Sequence, residues 1–483
     1  MSHDPGLRRL ALRTLLAAFP GATAPDWALE LVADGLAGHT LFATNVDDPA
    51  QLAALTGTLR TARPDVLVAI DEEGGDVTRL GHHAGSPYPG NAALGAVDDP
   101  DLTRRVYAAI GGDLAAAGVN LDLAPTVDVN TADENPIIGT RSFGADPDLV
   151  ARHAAAAVTG LESTGVAACA KHFPGHGATV SDSHLELPTV DVPLDVLRTR
   201  DLPPFAAAVA AGAQAVMSAH IRVPALTGAG PATFSRAALT GLLREELGFR
   251  GAIVTDALEM RGAAGAAGSI PLAAVAALSA GADLLCIGAS VGRELVEQVA
   301  LEIAAAVRDG RLAQSRLEGA AARTAALAAW AAAPRPAAES DGELGAAAAR
   351  LAVRVEGAPS PLPSPLVVRL VSGSSIAEGR VPWGLRPHLN GIEQVDLVAA
   401  STTADEVAAL AGDRPVVVVG RRLHSSAPAR DLVEKLAVAR QVSVVEMGWP
   451  SSWRPAGVAA FVVTHGASLA NGRAAAEALH LAG

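Results

Sequence analysis

Eight short apolar runs, spaced by alanine-rich stretches, constrain this chain more than any other feature. They are Leu12–Phe19, Thr40–Asn45, Val66–Ile70, Asn120–Ala124, Ala167–Ala170, Ala215–Ser218, Ala252–Thr255 and Leu284–Ile287. Apolar runs of this length alternating with helical stretches signal buried parallel strands in βαβ units. Most of the runs end in polar groups: Asp71-Glu72-Glu73, Pro125 to Asp128, Lys171-His172, His220 and Asp256. Buried strands that each deliver a polar group at the carboxyl end predict a (β/α)8 TIM-like barrel, here over residues 1–330, with its site on that face. The rival is a doubly wound open sheet, which gathers its ligand at one switch point instead of from many strands.

Beyond the barrel the pattern changes. Pro334-Arg335-Pro336 and Pro359-Ser360-Pro361-Leu362-Pro363 bracket an alanine-rich helix, so residues 331–364 read as a linker region. Then come Leu366–Val371, Val395–Ala399, Val416–Gly420, Val442–Val445 and Phe461–Thr464, separated by helical segments such as Ala427–Arg440. Short buried strands with helices on both faces make residues 365–483 a smaller three-layer α/β domain.

Charge and composition exclude whole classes of partner. A net charge of −14 leaves no basic stripe for nucleic acid or an anionic membrane. Hydrophobic content of 50% over 483 residues gives an ample core, filled by Leu, Val and Ala because aromatic residues are only 3%. Cys169 and Cys286 both lie in apolar stretches and read as buried thiols of a reducing compartment. The N-terminal apolar patch is interrupted by Arg13 and lacks a small-residue cleavage site, and no window has transmembrane character, so the expected location is cytoplasmic.

The densest chemistry lies between Ala170 and His184, a Gly- and Pro-punctuated loop holding three of the thirteen histidines and Asp182. Of 37 basic side chains only Lys171 and Lys435 are lysines. Arginine has replaced lysine nearly everywhere else, so Lys171 reads as a point charge required in a small pocket. With Asp71, Asp128, Asp182 and Asp256 as carboxylates and Arg79 and Arg141 as further cations, the predicted strand ends suit a polyhydroxylated ligand, whose hydroxyls both donate and accept charge-assisted hydrogen bonds. His172, His176, Asp182 and His184 also permit a zinc reading, but no HExxH helix or ordered ligand spacing backs it, and neither a metal nor a cofactor is expected. His176, between glycines, reads as loop-shaping; His220 has an equally good structural role, and Asp256 could simply cap a helix. Glu72, Glu73 and Asp76 read as loop-stabilising, and Asp128 has no assigned role.

KHFPGHG followed by DSH, IDEEGGDVTR, IIGTRSFG and IVTDALEM together resemble the bacterial β-N-acetylglucosaminidase branch of glycoside hydrolase family 3, over roughly residues 35–300. The resemblance implies a retaining, exo-acting enzyme that removes a terminal β-linked N-acetylglucosamine from a small carbohydrate. Carried over, Asp256 is the nucleophile, and His184, oriented by Asp182, is the general acid/base. Asp71, Arg79, Arg141, Lys171 and His172 clamp the sugar hydroxyls. The chemistry suits each role: a retaining glycosidase needs an aimed carboxylate, and an imidazole with pKa about 6.5 serves in both steps. Asp76 departs from the family pattern beside the clamp. Glu378, Glu393 and Glu446 are conceivable proton donors from the tail, which the Asp182–His184 loop makes unnecessary. The alternative reaction is phosphorolysis by the same residues, with inorganic phosphate as acceptor in place of water.

Overall fold

Eight strands, β1 (Leu15–Ala17), β2 (Gly38–Leu41), β3 (Leu67–Ile70), β4 (Leu121–Asp122), β5 (Ala167–Phe173), β6 (Ala215–Ser218), β7 (Ala252–Thr255) and β8 (Leu285–Cys286), pair in parallel in the order β7-β6-β5-β4-β3-β2-β1-β8. A parallel bridge between Val254 and Leu284 joins the two ends of that sheet. The result is the TIM-like barrel. The computed structural model describes residues 4–182, 186–288, 292–333, 335, 341–358 and 361–482.

One buried cluster draws on all eight parallel strands or the residues that flank them: Leu16, Ala37, Leu67, Ala69, Leu121, Leu123, Ala167, Cys169, Ala215, Met217, Ala252, Val254, Leu284 and Cys286. Only the barrel interior can bring so many strands into one cluster. The members recur two residues apart because successive strand side chains point to opposite faces. Leu327, Ala328 and Trp330, from the helix Gln314–Ala331, pack on the same cluster.

Asp283, fully buried just before β8, gathers polar contacts around one carboxylate. It accepts the Ile253 N–H at 3.0 Å and Arg316 Nη2 at 2.7 Å, and it also pairs with Arg244 and Arg323. Polar groups on the amino-terminal side of barrel strands serve stability, whereas those at the carboxyl ends serve the site.

Contacts divide the chain into two units. The first comprises Met1–Glu72, Thr103–Pro136 and Ala145–Ser340, and the second Glu73–Leu102, Ile137–Gly144 and Asp341–Gly483. In the second, β10 (Leu366–Leu370), β11 (Gln394–Leu397), β12 (Val416–Gly420), β13 (Val442–Glu446) and β14 (Ala460–Val463) form a parallel sheet in the order β11-β10-β12-β13-β14. Val407, Ala411, Leu432 and Leu436 cover one face, while Leu385, Ala475 and Leu479 cover the other, which gives three layers.

The stretch 331–364 reads in the sequence as a linker region around an alanine-rich helix. That helix is Gly342–Ala352, and it is followed by a strand the sequence did not announce, β9 (Arg354–Gly357), which runs antiparallel to β14 with Phe461 opposite Glu356. All four β9 residues are exposed, so no apolar run announces the strand. Segments 73–102 and 137–144 lie within the range read as barrel, yet they group with the tail. The helix Asn91–Val97 packs on Gly342–Ala352, Arg354 Nη2 donates to the Ala96 carbonyl at 3.0 Å, and the Ala467 N–H donates to Asp76 at 2.7 Å.

Glu162, at the end of the helix Pro147–Glu162, accepts the Gln214 N–H at 2.9 Å and the Ala168 N–H at 3.4 Å. Burial outweighs these bonds and pushes its carboxyl up from 4.5 to about 7. The folded state therefore favours the protonated acid. That contribution is full below about pH 4.5 and is lost as the pH rises through about 7. Glu162→Gln keeps the acceptor and cannot ionise, so its melting temperature relative to the parent should be higher near pH 8 than near pH 5, by about 2–4 °C per kcal/mol recovered. Thermal melts at the two pH values check this, and an equal difference at both contradicts it.

Candidate active site

The barrel's own alternation aims the central groups. Leu67 and Ala69, Ala167 and Cys169, and Ala252 and Val254 belong to the interior cluster. Two residues further along each strand lie Asp71, Lys171 and Asp256, on the inward parity at the carboxyl ends. Lys171 Nζ donates to Asp71 Oδ1 at 2.7 Å, with the lysine side chain 2% and the aspartate 19% exposed. Burial pushes the Cys169 thiol up, and the charges that act on it are Lys171, Asp122, Asp71 and Asp256.

Asp256 directly follows β7. Its Oδ1 accepts the Ala257 N–H at 2.8 Å, and its own N–H donates to the Ser218 carbonyl at 3.2 Å. It does not cap a helix, because the next one, Arg261–Ala267, has Met260 at its N-cap. Buried His220 braces the turn from behind, with Nδ1 bonded to Thr233 Oγ1 at 2.8 Å and Nε2 to the Ala257 carbonyl at 3.1 Å.

The loop after β5 is organised by Asp128, a fully buried residue to which the sequence assigned no role. His172 Nδ1 meets Asp128 Oδ2 at 2.7 Å, while the His172 and His176 N–H groups donate to Oδ1 at 3.3 and 2.6 Å. Burial by itself would raise the Asp128 carboxyl. His172, through charge and hydrogen bond, and then His176 outweigh it and hold the group below its ordinary range. An ionised carboxylate only accepts, so His172 carries its proton on Nδ1.

Two glycines let this loop close. A Cβ on Gly177 would stand 1.9 Å from the Val129 carbonyl oxygen, and Gly175, at φ +126°, would meet Asp201 at 2.7 Å. His176 Nδ1 bonds Thr179 Oγ1 at 2.6 Å, which gives that histidine a loop-shaping contact. One nitrogen of His172 and one of His176 are engaged in this way, and among the described residues no group of three His, Cys, Asp or Glu is placed for a metal. Asp182 is partly buried and its carbonyl accepts the Glu186 N–H at 3.1 Å; His184 lies outside the described residues.

Arg79 and Arg141 belong to the second unit. Arg141 donates from Nε and Nη2 to the two oxygens of Glu73 at 2.9 and 2.7 Å, and from Nη1 to the Ile137 carbonyl at 3.0 Å. This bidentate pair is 5% and 2% exposed, which fixes the guanidinium plane. Arg79 Nη2 donates to the Ala377 carbonyl at 2.9 Å. Asp76 accepts Thr140 Oγ1 at 2.6 Å and the Ala467 N–H at 2.7 Å, so both its oxygens serve the loop.

The tail carboxylates are committed to local structure. Glu446 accepts the N–H groups of Arg422, Leu423 and Gly448 at 2.7–2.8 Å, and burial still pushes it up to about 7. Glu393 pairs with Arg414 at 2.8 Å and Glu378 with Arg421 at 3.1 Å.

The model of the Glycosyl hydrolase family 3 N terminal domain matches residues 18–327. Beta-hexosaminidase A of Pseudoalteromonas piscicida is 36% identical over 331 residues, covering 63% of this chain and 55% of that protein. A beta-hexosaminidase of Stenotrophomonas maltophilia (strain K279a) is 38% identical over 268 residues, covering 54% of this chain and 78% of its own. This chain thus spans little more than half the length of the first relative. Among solved structures, a glycoside hydrolase family 3 beta-N-acetylglucosaminidase from Paenibacillus sp. str. FPU-7 superposes with a TM-score of 0.86 at 31% identity, over 98% of this chain and 96% of that one.

Asp128→Ala would leave the His172 Nδ1–H and two backbone N–H groups without their buried acceptor. Removing one partner of such a pair costs about 3–5 kcal/mol. Urea unfolding should show a loss of that order, smaller for Asp128→Asn, which keeps one carbonyl acceptor. A midpoint unchanged in both variants would mean that the loop is held elsewhere.

Proposed function

As the chain belongs to glycosyl hydrolase family 3, we propose that it is a retaining exo-β-N-acetylglucosaminidase, which removes a terminal β-linked N-acetylglucosamine from muropeptides or chitin oligomers. Asp256 attacks the anomeric carbon while the bond to the aglycone oxygen breaks, and His184, oriented by Asp182, supplies the proton to that oxygen. Water, giving its proton to His184, then displaces Asp256 from the glycosyl-enzyme. Asp71, Lys171, His172, Arg79 and Arg141 hold the hydroxyls of the sugar. The observation that carries this reading is the convergence of Asp71, Lys171 and Asp256 on the inward parity of three barrel strands, with Lys171 and Asp71 already paired at 2.7 Å. An ammonium and a carboxylate side by side can each bond one hydroxyl of a vicinal pair.

Hydrolysis is better supported than phosphorolysis. The relatives above, 36–38% identical to this chain over the aligned residues, are named beta-hexosaminidases. A histidine that has given up its proton is neutral and would admit phosphate as readily as water, so the acceptor is a matter for direct measurement. The buried free thiols Cys169 and Cys286 suit a reducing compartment, which supports a cytoplasmic location. No single helix among the described residues is long and apolar enough to cross a membrane.

Two substitutions test the mechanism. Asp256→Ala should abolish turnover whatever the aglycone, and a slow fluorinated sugar substrate should label the Asp256 peptide in mass spectra of the parent. Retention of more than a few per cent activity on an unactivated substrate removes Asp256 as nucleophile. His184→Ala should cost about 10² to 10⁴ in rate on poor leaving groups and far less on activated phenols, which depart without a proton. Equal losses on both would assign His184 to binding. Millimolar phosphate should yield no N-acetylglucosamine 1-phosphate; its appearance would make the enzyme a phosphorylase.

A further inference from the structure

Asp122, the last residue of β4, is a fully buried carboxyl for which the proposed reaction has no use. Its neighbours Leu121 and Leu123 belong to the interior cluster, so Asp122 has the opposite parity and points away from the barrel lumen. It cannot touch a sugar held at the carboxyl ends. The β3–β4 register sets Ile70 opposite Asp122, and Asp71 is the next residue along β3. Leu123 N–H donates to the Ile70 carbonyl at 2.7 Å, while Asp122 Oδ1 accepts the Glu72 N–H at 3.0 Å. Both chain neighbours of Asp71 are therefore tied to the β4 segment, one through the backbone and the other through this side chain.

We infer that Asp122 is a positioning residue for the Asp71–Lys171 clamp, which it aims by holding the Glu72 amide from behind the barrel wall. The inference rests on the reading that Asp71 and Lys171 bind the sugar. The state of the carboxyl follows from its surroundings. Burial pushes it well above its ordinary range, the charges of Glu72 and Asp71 push the same way, and the Glu72 amide and Lys171 oppose them. Cys169, another titratable group that interacts with Asp122, is itself held as a neutral thiol by burial. Oδ2 has no hydrogen-bond partner among the described residues, a costly arrangement for an anion and a tolerable one for an acid. A neutral Asp122 holds the amide without competing with Asp71 for the Lys171 ammonium.

This assignment separates two variants that a purely structural role would not. Asp122→Asn reproduces the shape, the acceptor and the neutral charge, and should keep kcat/KM on a chromogenic N-acetylglucosaminide within about threefold, with an unchanged pH profile. Asp122→Ala, or Asp122→Leu if the alanine variant fails to fold, removes the acceptor and should raise KM about tenfold or more with a smaller effect on kcat, as expected when an interaction common to ground and transition states is lost. Equal losses in the asparagine and the acceptorless variants, or an unchanged KM in the latter, would overturn the assignment. Infrared spectra give a readout that does not depend on substrate: a carboxylic C=O stretch present in the parent at neutral pH and missing from Asp122→Asn. Absence of that band would overturn the neutral carboxyl. A parent inert on every N-acetylglucosaminide that still showed the band would instead overturn the proposed activity.

Discussion

The whole site depends on the two-residue alternation of strands in a closed parallel barrel. Once Ala69, Cys169 and Val254 are committed to the interior, the residues two places on must follow them inward. Those residues are Asp71, Lys171 and Asp256. No loop conformation has to be found to bring them together, because strand pairing has already fixed their spacing and direction. A one-residue slip of β5 against its neighbours would turn His172 and Ala170 into the lumen in place of Lys171 and Cys169, so the register that builds the core also builds the chemistry.

The barrel was legible because its strands are short, apolar on both faces and interrupted by alanine-rich helices. Val66–Ile70 and Ala252–Thr255 needed no tertiary information to be read as strands, since a buried parallel strand has no polar face to blur the pattern. β9 shows the converse. Arg354–Gly357 pairs antiparallel with β14, and its side chains are exposed, so no apolar pattern in its sequence marks the strand. Segments 73–102 and 137–144 group with the tail for the same kind of reason. The bonds from Arg79 to Ala377 and from Ala467 to Asp76 connect positions 298 and 391 residues apart, which no local pattern encodes.

Within the site, legibility followed the same division. Lys171 and Asp256 stood out because one resists the arginine bias of the chain and the other directly follows an apolar run. Asp128 did not stand out. It sits in Leu123–Asn130, where it alternates with valines like any strand residue, and its importance comes from His172 and His176, 44 and 48 residues away. Glu73 was read as loop-stabilising, and its partner Arg141 as a sugar ligand. The bidentate bond between them shows that Glu73 holds the plane of the Arg141 guanidinium, a pairing across 68 residues that no local pattern encodes.

Asp122 and Asp128 make the further point that identical side chains on one segment are driven to opposite states by their neighbours. Both are fully buried, and burial favours the neutral acid in each. At Asp128 a histidine ring and two backbone N–H groups face the carboxylate and outweigh that tendency. At Asp122 a single amide faces it, while Glu72 and Asp71 add negative charge, and burial prevails. The anion at Asp128 fixes the proton of His172 on Nδ1, whereas the acid at Asp122 does not compete with Asp71 for the charge of Lys171. Two carboxyls behind the barrel mouth thus decide which groups in front of it donate and which accept, and they do so through hydrogen bonds that a sugar in the lumen would never touch.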